Sequence, residues 1–407
     1  MNRRNLMLCG AAALVGASPV TAQALDPVIE RMRRFVETGD LPFAALRIAR
    51  HGRVLAEAHV SGVENVAAGS LYRIYSMTKP LVAAATVLLI EDGQLTLDTP
   101  VHHHAPEFTD LQVVVDGRLD RLEPARTMTV GHLLTHTCGL GNSWGDGVTA
   151  PQYRQAGLIA AGWMYDPAIG GLGEFARRLG RIPLEFQPGE DWRYGYGLDV
   201  AGLIVERVTG ERLGDFIRRR LFAPLGMNST GFFVPEEGAR DLAGIYTRGG
   251  ASPRAVTDGS ERSPLRAPLA DGGSAGLVST LGDYGRFADM LAAGGALGDQ
   301  HVMTRESVRL LTTPWGAQDM VRPRLAQFGL GDGVFGQALG GVTRLADDFG
   351  PGSAGEYGWG GAAGTSFWSN PSLGLSVVFM TQIMPSGVVR AREVLRPMIY
   401  EALRQDS

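Results

Sequence analysis

The sequence predicts an α/β protein of the α+β type. One antiparallel sheet is built from both chain ends and flanked by helices, with a mostly helical region inserted between its halves. Three observations predict this. Strand-like runs stand at 43–48 and 54–60 and again at 365–369 and 373–382. Between about 105 and 290 the periodic segments are helical and broken by Gly/Pro loops. Amphipathic segments stand outside both pairs of strands, where they can cover a sheet.

In chain order, Val28, Ile29, Met32, Phe35 and Val36 have helical spacing and stop at Gly39, which predicts a helix over 26–37. Two strands follow, turning at His51-Gly52-Arg53. Residues 77–91 are rich in Ala, Val and Leu and end at Asp92-Gly93, a strong helix. Helical stretches are expected at 129–136, 173–180, 198–209, 212–222 and 283–293. The last two strands turn at Asn370-Pro371-Ser372, and an amphipathic helix over 388–404 closes the chain. The expected division is 25–105 with 290–407 as the sheet part and 106–289 as the helical insertion.

Residues 1–24 read as an export leader to be cleaved. Arg3 and Arg4 precede an apolar run from Leu6 to Val20, and Ala22-Gln23-Ala24 fits a cleavage site. The run is too short for a membrane span. The arginine pair leaves twin-arginine and general export both open. A periplasmic or secreted protein is expected. Removing the leader takes Cys9 and leaves Cys138 alone, so no internal disulfide is expected. Cys138 fits a small buried side chain closing a helix better than a nucleophile. His102-His103-His104 shares helical spacing with no carboxylate or cysteine and reads as a solvated turn, and no metal site is expected.

The chain has 407 residues with a formal charge of −4, which argues against a nucleic-acid partner. Of its 38 basic residues, 37 are arginine, and the one lysine is Lys79. Arginine fills almost any surface role of lysine but cannot release its proton at working pH. Ser76 lies three residues before Lys79, at the start of the strong helix, so the two share a face. A helix N-terminus favours developing negative charge. A serine needs a base to become nucleophilic, and burial beside a helix end equips a lysine amine for that. With 19 Ser in 407 residues, a random Lys would have one three positions before it about 5% of the time. The plainer reading, Ser76 as a helix cap and Lys79 on the surface, leaves the single lysine unexplained.

Gly141-Asn142-Ser143-Trp144-Gly145 and Gly272-Gly273-Ser274-Ala275-Gly276 both match G-x-S-x-G. Neither follows a core strand, as a nucleophile elbow must. In a chain with 56 glycines such matches arise cheaply.

Ser76-Met77-Thr78-Lys79 resembles the S-x-x-K motif of the serine beta-lactamase-like hydrolases, in the branch of class C beta-lactamases and family VIII carboxylesterases. Four further stretches resemble that branch in the right order. They are 129–140 (TVGHLLTHTCGL), 188–196 (PGEDWRYGY), 273–280 (GSAGLVST) followed by Asp283-Tyr284, and 358–362 (GWGGA). The resemblance implies a beta-lactamase-like sheet, Ser76 as nucleophile, Lys79 as its proton partner and Tyr194 as acid/base. It implies an oxyanion hole from the backbone N–H of Ser76 and that of Ala362 on an edge strand. It calls for no metal and no organic cofactor.

Two departures bear on substrate. Tyr196 replaces the Asn of Y-x-N, and Trp359-Gly360-Gly361 replaces K-T-G, removing the second active-site lysine. Tyr196, Trp359, Gly360 and Gly361, with Trp192 and Trp368, are expected to shape an apolar acyl or alcohol pocket. The esterase branch has this W-G-G form and a run like Tyr194 to Asp199-Val200. The reading is an exported serine carboxylesterase that hydrolyses short to medium acyl esters. One alternative is a class C-like beta-lactamase or D-peptidase, which nitrocefin turnover would favour. Another is a non-catalytic penicillin- or peptidoglycan-binding protein, which an intact Ser, Lys and Tyr set opposes.

Overall fold

The computed structural model describes residues 22–250, 252–256, 264–328, 330–331, 333–386 and 390–404. The expected leader lies outside the described residues up to residue 21, as do residues 388–389 of the expected final helix.

Helix α1 (Asp26–Glu37) buries Val28, Met32, Phe35 and Val36, the stripe its spacing predicts. Strands β1 (Ala44–Arg50) and β2 (Arg53–Val60) form a hairpin. Helix α2 (Thr78–Glu91) is buried on every side from Thr78 to Leu89, in keeping with its near-continuous apolar sequence. Helices α3 (Gly197–Thr209) and α4 (Leu281–Ala292) follow. Then come β3 (Phe335–Ala338), β4 (Gly341–Arg344), β5 (Tyr357–Gly360), β6 (Ser366–Asn370), β7 (Leu375–Met380) and helix α5 (Ala391–Arg404).

The main sheet is antiparallel with strand order β3-β4-β5-β6-β7-β1-β2. Its closure joins the two chain ends: Ala45 pairs with Met380 and Ile48 with Val377. Along β7 the side chains alternate. Leu375, Val377 and Phe379 pack with α1 and α5, while Val378 and Met380 face the core that holds α2 and α4. The two faces therefore bury two separate clusters.

Two features differ from expectation. The hairpin β3–β4 went unread, because its sequence, Phe335 to Arg344, is interrupted by three glycines. The expected break at 289/290 falls inside α4, and α4 packs on the sheet. Ser369 donates to the Ala288 carbonyl (2.8 Å), and Arg47 of β1 pairs with Asp289 (2.6 Å). Among the described residues no helix is long and apolar enough to cross a membrane.

Candidate active site

A 3-10 turn, Tyr75–Met77, leads into α2 and carries Ser76. Tyr75 has φ +45, a left-handed conformation that costs energy for an L side chain. The turn is tied down by Tyr284, whose hydroxyl donates to the Met77 carbonyl (2.8 Å). One helical turn on, Lys79 points back over Ser76. Its Nζ donates to Ser76 Oγ (3.3 Å) and to the Ser274 carbonyl (2.8 Å). Tyr194 lies just before α3, and its hydroxyl donates to Ser76 Oγ at 2.7 Å. Lys79 Nζ also sits 4.4 Å from the centroid of the Tyr194 ring, a cation–π contact. Three side chains separated by up to 118 positions thus meet at one oxygen.

Rings on several sides fix Tyr194. His136 is 4.7 Å from it, Phe328 5.0 Å and Trp359 5.9 Å, the last nearly parallel. Asn142 Nδ2 donates to the Tyr194 carbonyl (2.6 Å), so the backbone is held as well. His136 is buried, which pushes its imidazole well below its ordinary range, and nearby Lys79 pushes the same way. It is therefore neutral at working pH and adds no second positive charge.

Asp199 lines the same cavity. Its Oδ1 accepts the Ser274 N–H (3.0 Å), and Ser274 in turn presents its carbonyl to Lys79. Burial pushes the Asp199 carboxyl up, against the opposing pull of Ser274 and Lys79.

The strand end opposite is shaped for close approach. A tight turn, closed by the Gly364 N–H on the Gly361 carbonyl (3.0 Å), leaves the Ala362 N–H unused by the turn. A side chain at Gly361 would collide with the Ile74 carbonyl, so this turn and the serine turn lie backbone to backbone. Ser76 and Ala362 line one cavity. The expectation of an edge strand needs correction. β5 lies inside the sheet, paired with β6 throughout but with β4 only at Tyr357 and Gly358. Only Trp359 and Gly360 run past β4 as a free edge. The unread hairpin β3–β4 is the reason.

The cavity holds about 670 Å³ and is mostly apolar, as ligand sites usually are. Tyr196, Trp359, Gly360 and Gly361 line it. Tyr196 turns its hydroxyl away from Ser76, donating to the Leu158 carbonyl (2.5 Å). Trp192 and Trp368 do not line it. Trp192 is buried behind Tyr194 and donates to Gln337, and Trp368 belongs to the core on the opposite sheet face. The missed wall residues are Trp144, Trp163, Met164 and Phe328. They come from loops and helix ends without periodicity, and an isolated Trp in a Gly-rich stretch was the only signal.

Both G-x-S-x-G stretches reach the site as walls. Ser143 is buried, within hydrogen-bonding distance of the Tyr196 hydroxyl (3.2 Å), and accepts the Ala160 N–H. Ser274 acts through its backbone. Cys138 is buried, and burial pushes its thiol up to about 12, which makes it inert as a nucleophile. His102 and His103 lie in a 3-10 turn, Val101–His103. Among the described residues no group of His, Cys, Asp or Glu is arranged to hold a metal ion.

A family model described as Beta-lactamase matches residues 28–396. Protein Rv1367c of Mycobacterium tuberculosis is 33% identical over 375 residues, 89% of this chain and 90% of its own. Esterase EstB of Burkholderia gladioli is 33% identical over 398 residues, 93% of this chain and 95% of its own. Among solved structures, EstCE1, a hydrolase with promiscuous acyltransferase activity, superposes with a TM-score of 0.77. It covers 94% of this chain and 99% of its own at 24% identity, which speaks for the fold alone. The family match over most of the chain, the two relatives and the shared antiparallel sheet agree: this protein belongs to the beta-lactamase family.

Proposed function

We propose that the protein is a serine carboxylesterase acting through an acyl-enzyme on Ser76. The observation that carries this is the convergence of Lys79 Nζ and the Tyr194 hydroxyl on Ser76 Oγ, at 3.3 and 2.7 Å. The esterase relative at 33% identity supports the same class.

In the first half-reaction Lys79 takes the proton of Ser76 as Oγ bonds to the ester carbonyl carbon. The carbonyl oxygen becomes an oxyanion, met by the N–H groups of Ser76 and Ala362. Collapse breaks the bond to the alcohol oxygen, and Tyr194 gives that oxygen its proton, which Lys79 replaces. A water then enters where the alcohol left. The same pair takes a proton from it as its oxygen bonds to the acyl carbon, and collapse breaks the bond to Ser76 Oγ, which regains that proton as the acid leaves. Asp199 and Ser274 hold Lys79 in reach of both hydroxyls.

Trp359 in place of a lysine favours an ester over a beta-lactam. It presents a ring to the substrate where a cation would face a carboxylate. The apolar wall of Trp144, Trp163 and Met164 fits short to medium acyl chains. In this reading the chain ends that build the sheet supply Ser76 and Trp359, and the helical region between them, up to the start of α4, supplies Tyr194. The leader over 1–24 places the enzyme in the periplasm or outside the cell.

The test is turnover of p-nitrophenyl acetate and butyrate beside nitrocefin, by the wild type and Ser76→Ala. Ester hydrolysis that exceeds nitrocefin turnover and vanishes in Ser76→Ala is expected. Faster nitrocefin turnover would move the assignment to a beta-lactamase.

A further inference from the structure

The cavity does not end at the serine. Past Gly360 and the 361–364 turn it continues into a lobe lined by Leu41, Ser366, Phe379, Ile383, Ala391 and Arg392. This lobe is on the other face of the sheet. Trp359 faces Tyr194, so its neighbour Gly360 faces α5. Arg392 Nη1 lies 3.5 Å from where a Gly360 side chain would begin. Ser366 is the cross-strand partner of Gly360 and so shares that face, as does Phe379 opposite Ser366.

The Arg392 side chain forms no hydrogen bond or ion pair among the described residues. The acids nearest it are engaged elsewhere. Glu393 pairs with Arg390 (3.2 Å). Glu356 takes Arg396 at 3.1 Å and the Tyr400 hydroxyl at 2.8 Å, with Arg344 at 3.8 Å. Desolvation, then Arg396, lowers Arg392 to about 10, which still leaves it charged at neutral pH. Ser366 is buried, and its Oγ has no partner among the described residues. Arg392 is half-buried and faces the lobe as a cation, and beside it a buried hydroxyl without a partner is costly unless something bonds to it.

We propose that this lobe is a carboxylate-binding site, with Arg392 as counter-charge, Ser366 as a second donor and apolar walls for the carbon next to the carboxylate. The carboxylate has two sources: a free small carboxylate, or the far end of an ester that also carries an acid group. Only the second source rests on the esterase reading.

Two experiments separate them. The first is the melting temperature of Ser76→Ala in acetate or succinate against chloride of equal ionic strength, with and without Arg392→Gln. It reads binding whether or not esters are turned over. The second is kcat/KM for p-nitrophenyl hydrogen glutarate relative to p-nitrophenyl valerate, a neutral ester of the same length. If the substrate carries the carboxylate, the half-ester is preferred and Arg392→Gln lowers that ratio about tenfold or more. If a free carboxylate is the ligand, the melting temperature rises only with Arg392 present and the ratio is unmoved by the variant. If neither reading depends on Arg392, the proposal is overturned. Should Arg392→Gln not fold, Ser366→Ala is to weaken the same readings, and an unchanged result from it overturns the proposal equally.

Discussion

Arg47 and Lys79 are both buried, 7% and 2% exposed, Arg47 between β1 and α4 and Lys79 in the first turn of α2. Arg47 meets a carboxylate squarely. Its two terminal nitrogens donate to the two oxygens of Asp289 at 3.0 and 2.6 Å, and Ser376 donates to the same acid. Gly285 leaves room for the guanidinium, since any side chain there would strike it. Among the described residues Lys79 bonds to no carboxylate. It donates to a hydroxyl and a carbonyl and lies against a ring, while Asp199 is turned to the Ser274 N–H. One cation is neutralised for good and serves packing. The other meets only neutral groups among the described residues. A chain that uses arginine for all but one of its 38 basic residues has its one lysine where the proposed reaction needs a proton acceptor, a role arginine cannot fill.

The largest effect should come from erasing that difference. Lys79→Arg keeps the charge and removes the base, so kcat/KM for p-nitrophenyl butyrate should fall by about 10³-fold or more with the fold retained by circular dichroism. Wild-type activity in that variant would break the comparison outright. Tyr194→Phe should cost about 10²–10³-fold in kcat, because the leaving alcohol loses its proton donor while the aromatic packing survives. A KM effect alone would make Tyr194 a wall and not an acid.

At the arginine the expected loss is in stability. Asp289→Leu leaves the buried Arg47 charge only the exposed Glu57 at 3.9 Å and should cost about 3–5 kcal/mol in urea unfolding. Adding Arg47→Met should recover most of it, since a buried pair replaced by apolar groups is near neutral. KM should stay unchanged throughout. If the double variant is as unstable as the single one, Arg47 contributes more than a paired charge.

What the sequence revealed follows the same division. Ser76 and Lys79 are three positions apart, and Lys79 stood out by composition, so local reading sufficed. Strands β6 and β7 were legible because each is a short apolar run with a turn between them. Arg47 and Asp289 are 242 positions apart and look like any other arginine and aspartate, so only the fold joins them. The hairpin β3–β4 is held by its pairing with β5, not by its own glycine-broken sequence. Trp144, Trp163 and Phe328 reach the cavity from segments with no period to read.

The smallest effect belongs to a third buried group, Cys138, which holds a proton that it should never release. Its thiol lies at about 12 in the folded chain, raised by burial, against about 8.5 for an unfolded one. The raised value sets the sign. Below pH 8.5 both states are protonated and the group is neutral to stability. Above it the unfolded chain sheds the proton first, so the native state weakens as pH rises toward 12. By pH 10 this amounts to about 2 kcal/mol. Tyr72 and Tyr246, also pushed up to about 12, weaken the native state in the same direction, so the wild type alone cannot report it. Cys138→Ser carries those tyrosines unchanged and has no thiol. The gap in unfolding free energy between the two should therefore be constant from pH 6 to 8 and shift toward Cys138→Ser by about 2 kcal/mol at pH 10. A gap that does not move would mean that the thiol ionises as easily folded as unfolded, and that the core near Tyr153 is wetter than its burial implies.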